Sequence, residues 1–171
     1  NLGLGPEAVD ARVRAALEAV ALPYEAVYAR SPFELSGGQQ RRVALAGVLA
    51  MEPEALVLDE PAAGLDPRGR RGFLALLRRL HDQGMTMAMA SHSMEDLATL
   101  CDYLLVLEGG SIARRGAPAE VFADAEALHA LGLAPPAPDA FAALLRQRGF
   151  ALPRPLYDVE GLADDIAANL R

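Results

Sequence analysis

The sequence predicts an α/β fold in which a mainly parallel sheet is flanked by helices. Two short apolar runs supply the strands: Leu56 to Asp59 ends in an acidic residue, and Thr86 to Ala90 carries no charge. Uncharged runs of this length are typical of parallel strands that are buried on both faces. Helical patterns lie before the first run and between the two, so we expect both strands in one sheet.

The other elements follow from caps and breakers along the chain. We predict helices that run from Pro6 toward Pro23, from Ser36 to about Met51, from Pro67 to Gly84, and onward from Ser93. A hairpin is predicted over residues 103–114 with its turn at 108–111, and a last helix opens at Asp158. Residues 117–171 contain short helical patterns separated by prolines.

Ser36 begins a helix whose start is suited to an anion. The Ser36 side chain can cap the helix, and Gln39, three residues on, can reach back to Ser36 in a capping box. Gly37 and Gly38 leave the backbone N–H groups open to close approach. We therefore predict a phosphate-facing helix start, with an ordinary capped loop as the alternative.

Two carboxylates follow the first strand. Asp59 is its last residue and Glu60 comes next, so both side chains lie where a parallel strand delivers groups to a crevice. Such a pair of carboxylates can bind a metal ion and a water molecule. Further along, Asp66 precedes Pro67 as an N-cap precedes a first-turn proline. His92 follows the second strand, beside the end of the Asp59 strand if the two are neighbours.

Composition narrows the class of protein. A formal net charge of −7 argues against a nucleic-acid partner, although arginines cluster over residues 68–79. The single cysteine, Cys101, excludes an internal disulfide, and no run approaches the ~20 apolar residues of a membrane span. We expect a cytosolic protein of one domain with a small appendage.

Four motifs together resemble those of ABC-type ATPases, which are P-loop NTPases. Residues 35–39 (LSGGQ) match the family signature, and residues 56–60 resemble the Walker B strand with its glutamate. Residues 64–66 are similar to the D-loop, and residues 91–93 to the switch histidine. The resemblance implies the C-terminal part of a P-loop NTPase domain followed by a small helical extension.

The lysine of a phosphate loop is missing from this sequence. All sixteen basic residues are arginine, so the pattern Gly-x-x-x-x-Gly-Lys-[Ser/Thr] cannot occur in it. The chain also begins at Asn1 and enters the family pattern shortly before the signature. We therefore expect the C-terminal part of a longer ATPase, and we expect this chain alone to be inactive.

The resemblance also assigns roles to individual residues. It implies that Asp59 holds Mg²⁺, that Glu60 polarises the attacking water, and that His92 contacts the γ-phosphate of ATP. Ser36, Gly37, Gly38 and Gln39 would meet ATP bound to the opposite subunit. Asp66 would belong to the same ATP-binding set and lie at the dimer interface.

The resemblance extends to the ATPases of energy-coupling factor (ECF) transporters. The segments that carry it are residues 31–34, 46–51, 64–69 and 91–96. This implies a partial ATPase domain over residues 1–123 and a helical extension over residues 124–171. The implied partners are a second ATPase subunit, a transmembrane coupling subunit and a membrane protein that captures a vitamin or a metal ion. The implied location is the cytoplasmic face of the membrane. Nucleic acid is not among the implied partners.

Two other readings stay open from the sequence. A soluble ABC-type ATPase that acts on nucleic acid or ribosomes shares the signature and Walker B motifs. A flanking coiled coil or a basic surface would mark such a protein, and we find neither in the sequence. A non-catalytic dimerisation module would carry the same motifs without a working site.

Overall fold

The computed structural model describes residues 3–153 and 155–170, and it has the predicted α/β architecture. Contacts group the chain into two compact units, one within residues 1–90 and one within residues 91–171. Each unit has its own pair of strands and its own core. Among the helices in the described ranges, none combines the length and apolar character that crossing a bilayer requires.

The first unit alternates helices with two strands. Its elements are α1 (Pro6–Ala19), α2 (Tyr24–Val27), a 3₁₀ turn (Pro32–Glu34), α3 (Gly37–Leu49), β1 (Ala55–Asp59), α4 (Pro67–Asp82) and β2 (Thr86–Ala90). Pro6 opens α1 and Asp66 caps α4, as the sequence predicts. Both strands occur within a residue of their predicted bounds.

The two strands of this unit pair in parallel, with Leu56 opposite Met87 and Asp59 opposite Ala90. This confirms the predicted pairing. The prediction that both faces are buried is wrong for the described residues, because Leu56 is 2% exposed while its neighbour Val57 is 84% exposed. Helices cover only the face that carries Leu56, and successive strand residues point to opposite faces.

The core of the first unit lies between α1, α3, α4 and the covered face of the strands. Val20, Leu56 and Leu77 are at most 2% exposed. Burial of an aliphatic side chain of this size contributes about 1.5–3 kcal/mol. The core therefore fixes the start of α3 and the end of β1, where most of the predicted site residues lie.

The second unit combines a hairpin with short helices. Its elements are α5 (Met94–Leu100), β3 (Leu104–Glu108), β4 (Ser111–Gly116), α6 (Pro118–Phe122), α7 (Ala125–Ala130), α8 (Ala137–Gln147) and α9 (Val159–Asn169). β3 and β4 are antiparallel, which confirms the predicted hairpin. Gly109 and Gly110 form its turn at φ +55° and +80°, a region that glycine adopts without strain.

The end of the chain is helical, as predicted. Asp158 caps α9, its carboxylate accepting the Gly161 N–H at 2.6 Å.

Burial raises the pKa of the Cys101 thiol, and the neighbouring Asp102 carboxylate raises it further. The division between an ATPase part at 1–123 and an extension at 124–171 stays a prediction.

Candidate functional site

The signature turn (residues 35–39) has the predicted capping box. The Ser36 hydroxyl accepts the Gln39 N–H at 3.3 Å, and the Gln39 side-chain oxygen accepts the Ser36 N–H at 3.0 Å. These reciprocal bonds start α3, a helix of 13 residues. A Cβ atom added at Gly37 or Gly38 would meet nothing within 4 Å. The helix start is therefore open to a ligand, and its N–H groups and dipole favour an anion.

Asp59 and Glu60 lie at the carboxyl end of β1. Asp59 is exposed and Glu60 is half-buried. The Glu60 N–H donates to the Ala90 oxygen at 2.9 Å, which extends the pairing with β2 beyond the strand. The backbone that carries the two carboxylates is thus anchored by the sheet, at the edge where ligands bind in parallel α/β proteins.

Glu60 adopts a backbone conformation that the sequence does not indicate. Its φ angle is +44°, in the left-handed region that residues with a side chain rarely occupy. A residue held there costs about 1–3 kcal/mol and persists only when its surroundings fix it. Ala21 and Glu52 also have positive φ angles, so the conformation alone does not mark a site; at Glu60 it falls on the residue for which the sequence predicts the catalytic role.

The Glu60 loop (residues 60–66) connects the strand end to α4. The Ala63 N–H donates to the Glu60 oxygen at 3.1 Å, and Gly64 turns the chain at φ +74°. Asp66 then accepts the N–H groups of Arg68 and Gly69 at 2.9 and 2.8 Å. The predicted capping role of Asp66 is confirmed, and its side chain remains exposed.

His92 belongs to the second unit, where it is exposed. The serines on either side of His92 each accept a main-chain N–H. The Ser91 hydroxyl accepts the Ser93 N–H at 3.1 Å, and the Ser93 hydroxyl accepts the Asp96 N–H at 3.3 Å. Along the chain it comes two residues after Ala90, the partner of Asp59. That the histidine joins the two carboxylates remains a prediction.

Two arginines of α3 have contacts that the sequence did not reveal. Arg41 donates from Nη2 to the Ala63 oxygen at 3.0 Å, which ties α3 to the Glu60 loop. Arg42 donates to the Val20 oxygen at 3.1 Å and to the Gly72 oxygen at 3.2 Å. Arg41 is exposed, whereas Arg42 is half-buried. Their acceptors are main-chain carbonyls, which leave no signal in a sequence.

Asp59 offers the kind of ligand that Mg²⁺ prefers. In nucleotide sites this ion usually takes one or two carboxylates and completes its shell with phosphate oxygens and water. The described residues contain no group of three or more His, Cys, Asp or Glu side chains that could hold a metal by themselves. An exposed strand-end carboxylate therefore fits an ion that arrives with its nucleotide.

Comparison with known proteins gives concordant matches. The family profile described as ABC transporter matches residues 4–63. The energy-coupling factor transporter ATP-binding protein EcfA2 of Clostridium perfringens is 48% identical over 172 residues, covering 100% of this chain and 60% of that protein. EcfA2 of Latilactobacillus sakei is 50% identical over 173 residues, covering 100% of this chain and 57% of that protein. The chain thus spans about three fifths of the length of these relatives.

Solved structures agree with this assignment. The structure of cbiO1 from Clostridium perfringens, described as part of the ABC transporter complex cbiONQ, superposes with a TM-score of 0.67 at 35% identity. The match covers 85% of this chain and 57% of that one. An ATP-binding cassette of an ABC transporter gives a TM-score of 0.61 at 27% identity, covering 70% of this chain and 48% of its own. The chain is therefore similar to the ABC transporter family over residues 4–63 and, over its whole length, to ATP-binding proteins of energy-coupling factor transporters.

Proposed function

We propose that this chain is the C-terminal part of an ATP-hydrolysing subunit of an ECF-type ABC transporter, which couples hydrolysis to uptake of a vitamin or a metal ion. The observation that carries the proposal is identity of 48–50% to EcfA2 proteins along the whole chain. The capped signature turn and the paired carboxylates at the end of β1 support it. The helix start is open to an anion, and the carboxylates stand at the carboxyl end of a parallel strand.

Phosphoryl transfer to water depends on positioning and on neutralising charge. In this proposal Glu60 orients the attacking water and accepts its proton, since it is a half-buried carboxylate at a strand end. Asp59 would hold Mg²⁺, which would supply positive charge at the phosphate oxygens. His92 contacts the γ-phosphate from the segment that follows β2.

The signature turn serves a different nucleotide. Ser36, Gly37, Gly38 and Gln39 present an open helix start, and the chain has no lysine loop that would hold ATP beside it. We propose that they meet the γ-phosphate of ATP held by the partner ATPase subunit, with Asp66 at the same interface. Hydrolysis then requires the two subunits to close on each other.

The proposed partners are a second ATPase subunit, a transmembrane coupling subunit and a membrane protein that captures the substrate. This arrangement places the chain at the cytoplasmic face of the membrane as a peripheral subunit. Residues 1–123 would form the ATPase part and residues 124–171 the extension. The captured substrate is a property of the membrane partner, so this chain leaves open whether it is a vitamin or a metal ion.

The test replaces Glu60 in the full-length subunit, paired with a partner whose own site is disabled. Glu60→Gln keeps the shape of the side chain and removes the base, so turnover is expected to fall about 10²- to 10⁴-fold while ATP affinity changes little. Glu54→Gln is the matched control, because Glu54 is an exposed glutamate just before the other end of β1. Phosphate release and ATP binding are measured together. Equal turnover in the two variants would contradict the role of Glu60.

A further inference from the structure

One exposed side chain of α3 holds the Glu60 loop. We infer that Arg41 is a positioning residue for Glu60, acting through the main chain of Ala63; this rests on the proposed function. Arg41 donates from Nη2 to the Ala63 oxygen at 3.0 Å across 22 residues of sequence. The bond links the helix of the signature turn to the loop that carries the catalytic carboxylate.

Glu60 needs such support because of its backbone. Its φ of +44° lies in a region that is unfavourable for any residue with a Cβ atom. The Glu60 N–H is anchored to the Ala90 oxygen at 2.9 Å, so the sheet fixes the side of Glu60 toward β1. The side of Glu60 toward α4 lies in the loop that precedes that helix.

A continuous series of bonds reaches the loop side. The Ala63 N–H donates to the Glu60 oxygen at 3.1 Å, and the Ala63 oxygen accepts from Arg41. Ala63 is therefore held at both ends of its backbone, by Glu60 and by Arg41. Without the guanidinium the Ala63 oxygen turns to water, and the turn that closes on Glu60 loses its external support.

Arg41 differs from its neighbour Arg42 in what it stabilises. Arg42 is half-buried and bridges the Val20 and Gly72 oxygens, so its loss removes packing from the core helices. Arg41 is exposed, and its bond to Ala63 lies at the surface. Loss of an exposed bond of this kind changes folding little, whereas a small displacement of a catalytic group lowers turnover strongly.

Arg41 on α3 therefore acts on the ATP of its own subunit, although the start of the same helix serves the ATP of the partner. The test uses the full-length subunit in a pair where only the Glu60 site hydrolyses ATP. Arg41→Met is expected to lower kcat about tenfold with KM for ATP within about twofold, and Arg41→Lys to recover part of the loss. Arg71→Met is the matched control, since Arg71 is an exposed arginine on α4.

A second measurement separates positioning from general damage. In a Glu60→Gln background, Arg41→Met is expected to cause no further loss, because its effect passes through Glu60. The melting temperature of Arg41→Met should stay within about 2 °C of the unchanged protein. The inference is overturned if kcat is unchanged, if Arg71→Met loses as much, if the loss tracks a lower melting temperature, or if it falls on ATP held by the partner. An unchanged pair with no ATP hydrolysis would instead refute the proposed function, and the inference with it.

Discussion

The signature turn and the Glu60 loop both lead into a helix, yet they are built by different means. The signature turn is closed by two bonds between Ser36 and Gln39, three residues apart. The Glu60 loop depends on partners far along the chain, Ala90 and Arg41, and contains a strained glutamate. One is a local structure, and the other exists only within the folded unit.

This difference matches the tasks that we propose for them. A phosphate-facing helix start needs only open N–H groups, which capping and glycine provide without strain. A water-orienting carboxylate must be held at a fixed position, and strain is tolerated when several contacts fix it. Changes in the signature turn should therefore act on the ligand, and changes in the Glu60 loop on the fold as well.

The largest effect that sharpens this comparison is expected for Ser36→Arg in the full-length subunit. A bulky cation at the helix start would obstruct the partner's ATP, and we expect hydrolysis of that ATP to fall by about 10²-fold or more. ATP binding by the mutated subunit should survive. Turnover is measured separately for each site by disabling the other.

Ser31→Arg provides the matched control for that variant. Ser31 caps the 3₁₀ turn with a similar reciprocal arrangement, accepting the N–H of Phe33, two residues on, at 3.4 Å while Glu34 accepts the Ser31 N–H at 3.1 Å. The control therefore loses a similar cap and gains the same charge. Loss of hydrolysis confined to ATP held by the mutated subunit would contradict the placement across the dimer.

A smaller effect, on stability, compares a glycine from each region. Gly64→Ala forces a Cβ atom into φ +74° and is expected to destabilise by about 1–2 kcal/mol. Gly37→Ala adds a Cβ atom with nothing within 4 Å in the first turn of α3, where alanine is a good helix former. Its stability should stay within about 0.5 kcal/mol of the unchanged protein or rise. Thermal unfolding of both variants measures the two changes in stability. Equal changes in the two variants would contradict the difference between the Glu60 loop and the signature turn.

Much of the fold could be predicted because its signals are local. Pro6, Ser36, Asp66 and Asp158 mark helix starts by rules that need only a few residues of context, and all four are confirmed. The parallel pairing of β1 with β2 followed from two short apolar runs. The burial of those strands did not follow, because the alternation seen at Leu56 and Val57 depends on which face the helices cover.

In the candidate site, too, the local features could be predicted from the sequence and the others could not. The capping box was visible in the sequence, whereas the φ of Glu60 and the bond from Arg41 to Ala63 were not. Main-chain acceptors carry no residue identity, and backbone strain depends on the whole unit. Sequence therefore identified the residues that are expected to meet the ligand, and the structure added those that hold them in place.

The most direct measurement compares magnesium-dependent ATP binding and phosphate release by residues 1–171 with those of the full-length subunit and its partner. We propose roles in hydrolysis for Asp59, Glu60 and His92, and this lysine-free sequence supplies no phosphate loop to hold ATP for them. Loss of such positioning groups can remove about 7–11 kcal/mol of orientation effects. We expect no measurable hydrolysis and at best weak ATP binding by residues 1–171, with both present in the full-length pair. Tight, magnesium-dependent ATP binding by residues 1–171 alone would contradict the account.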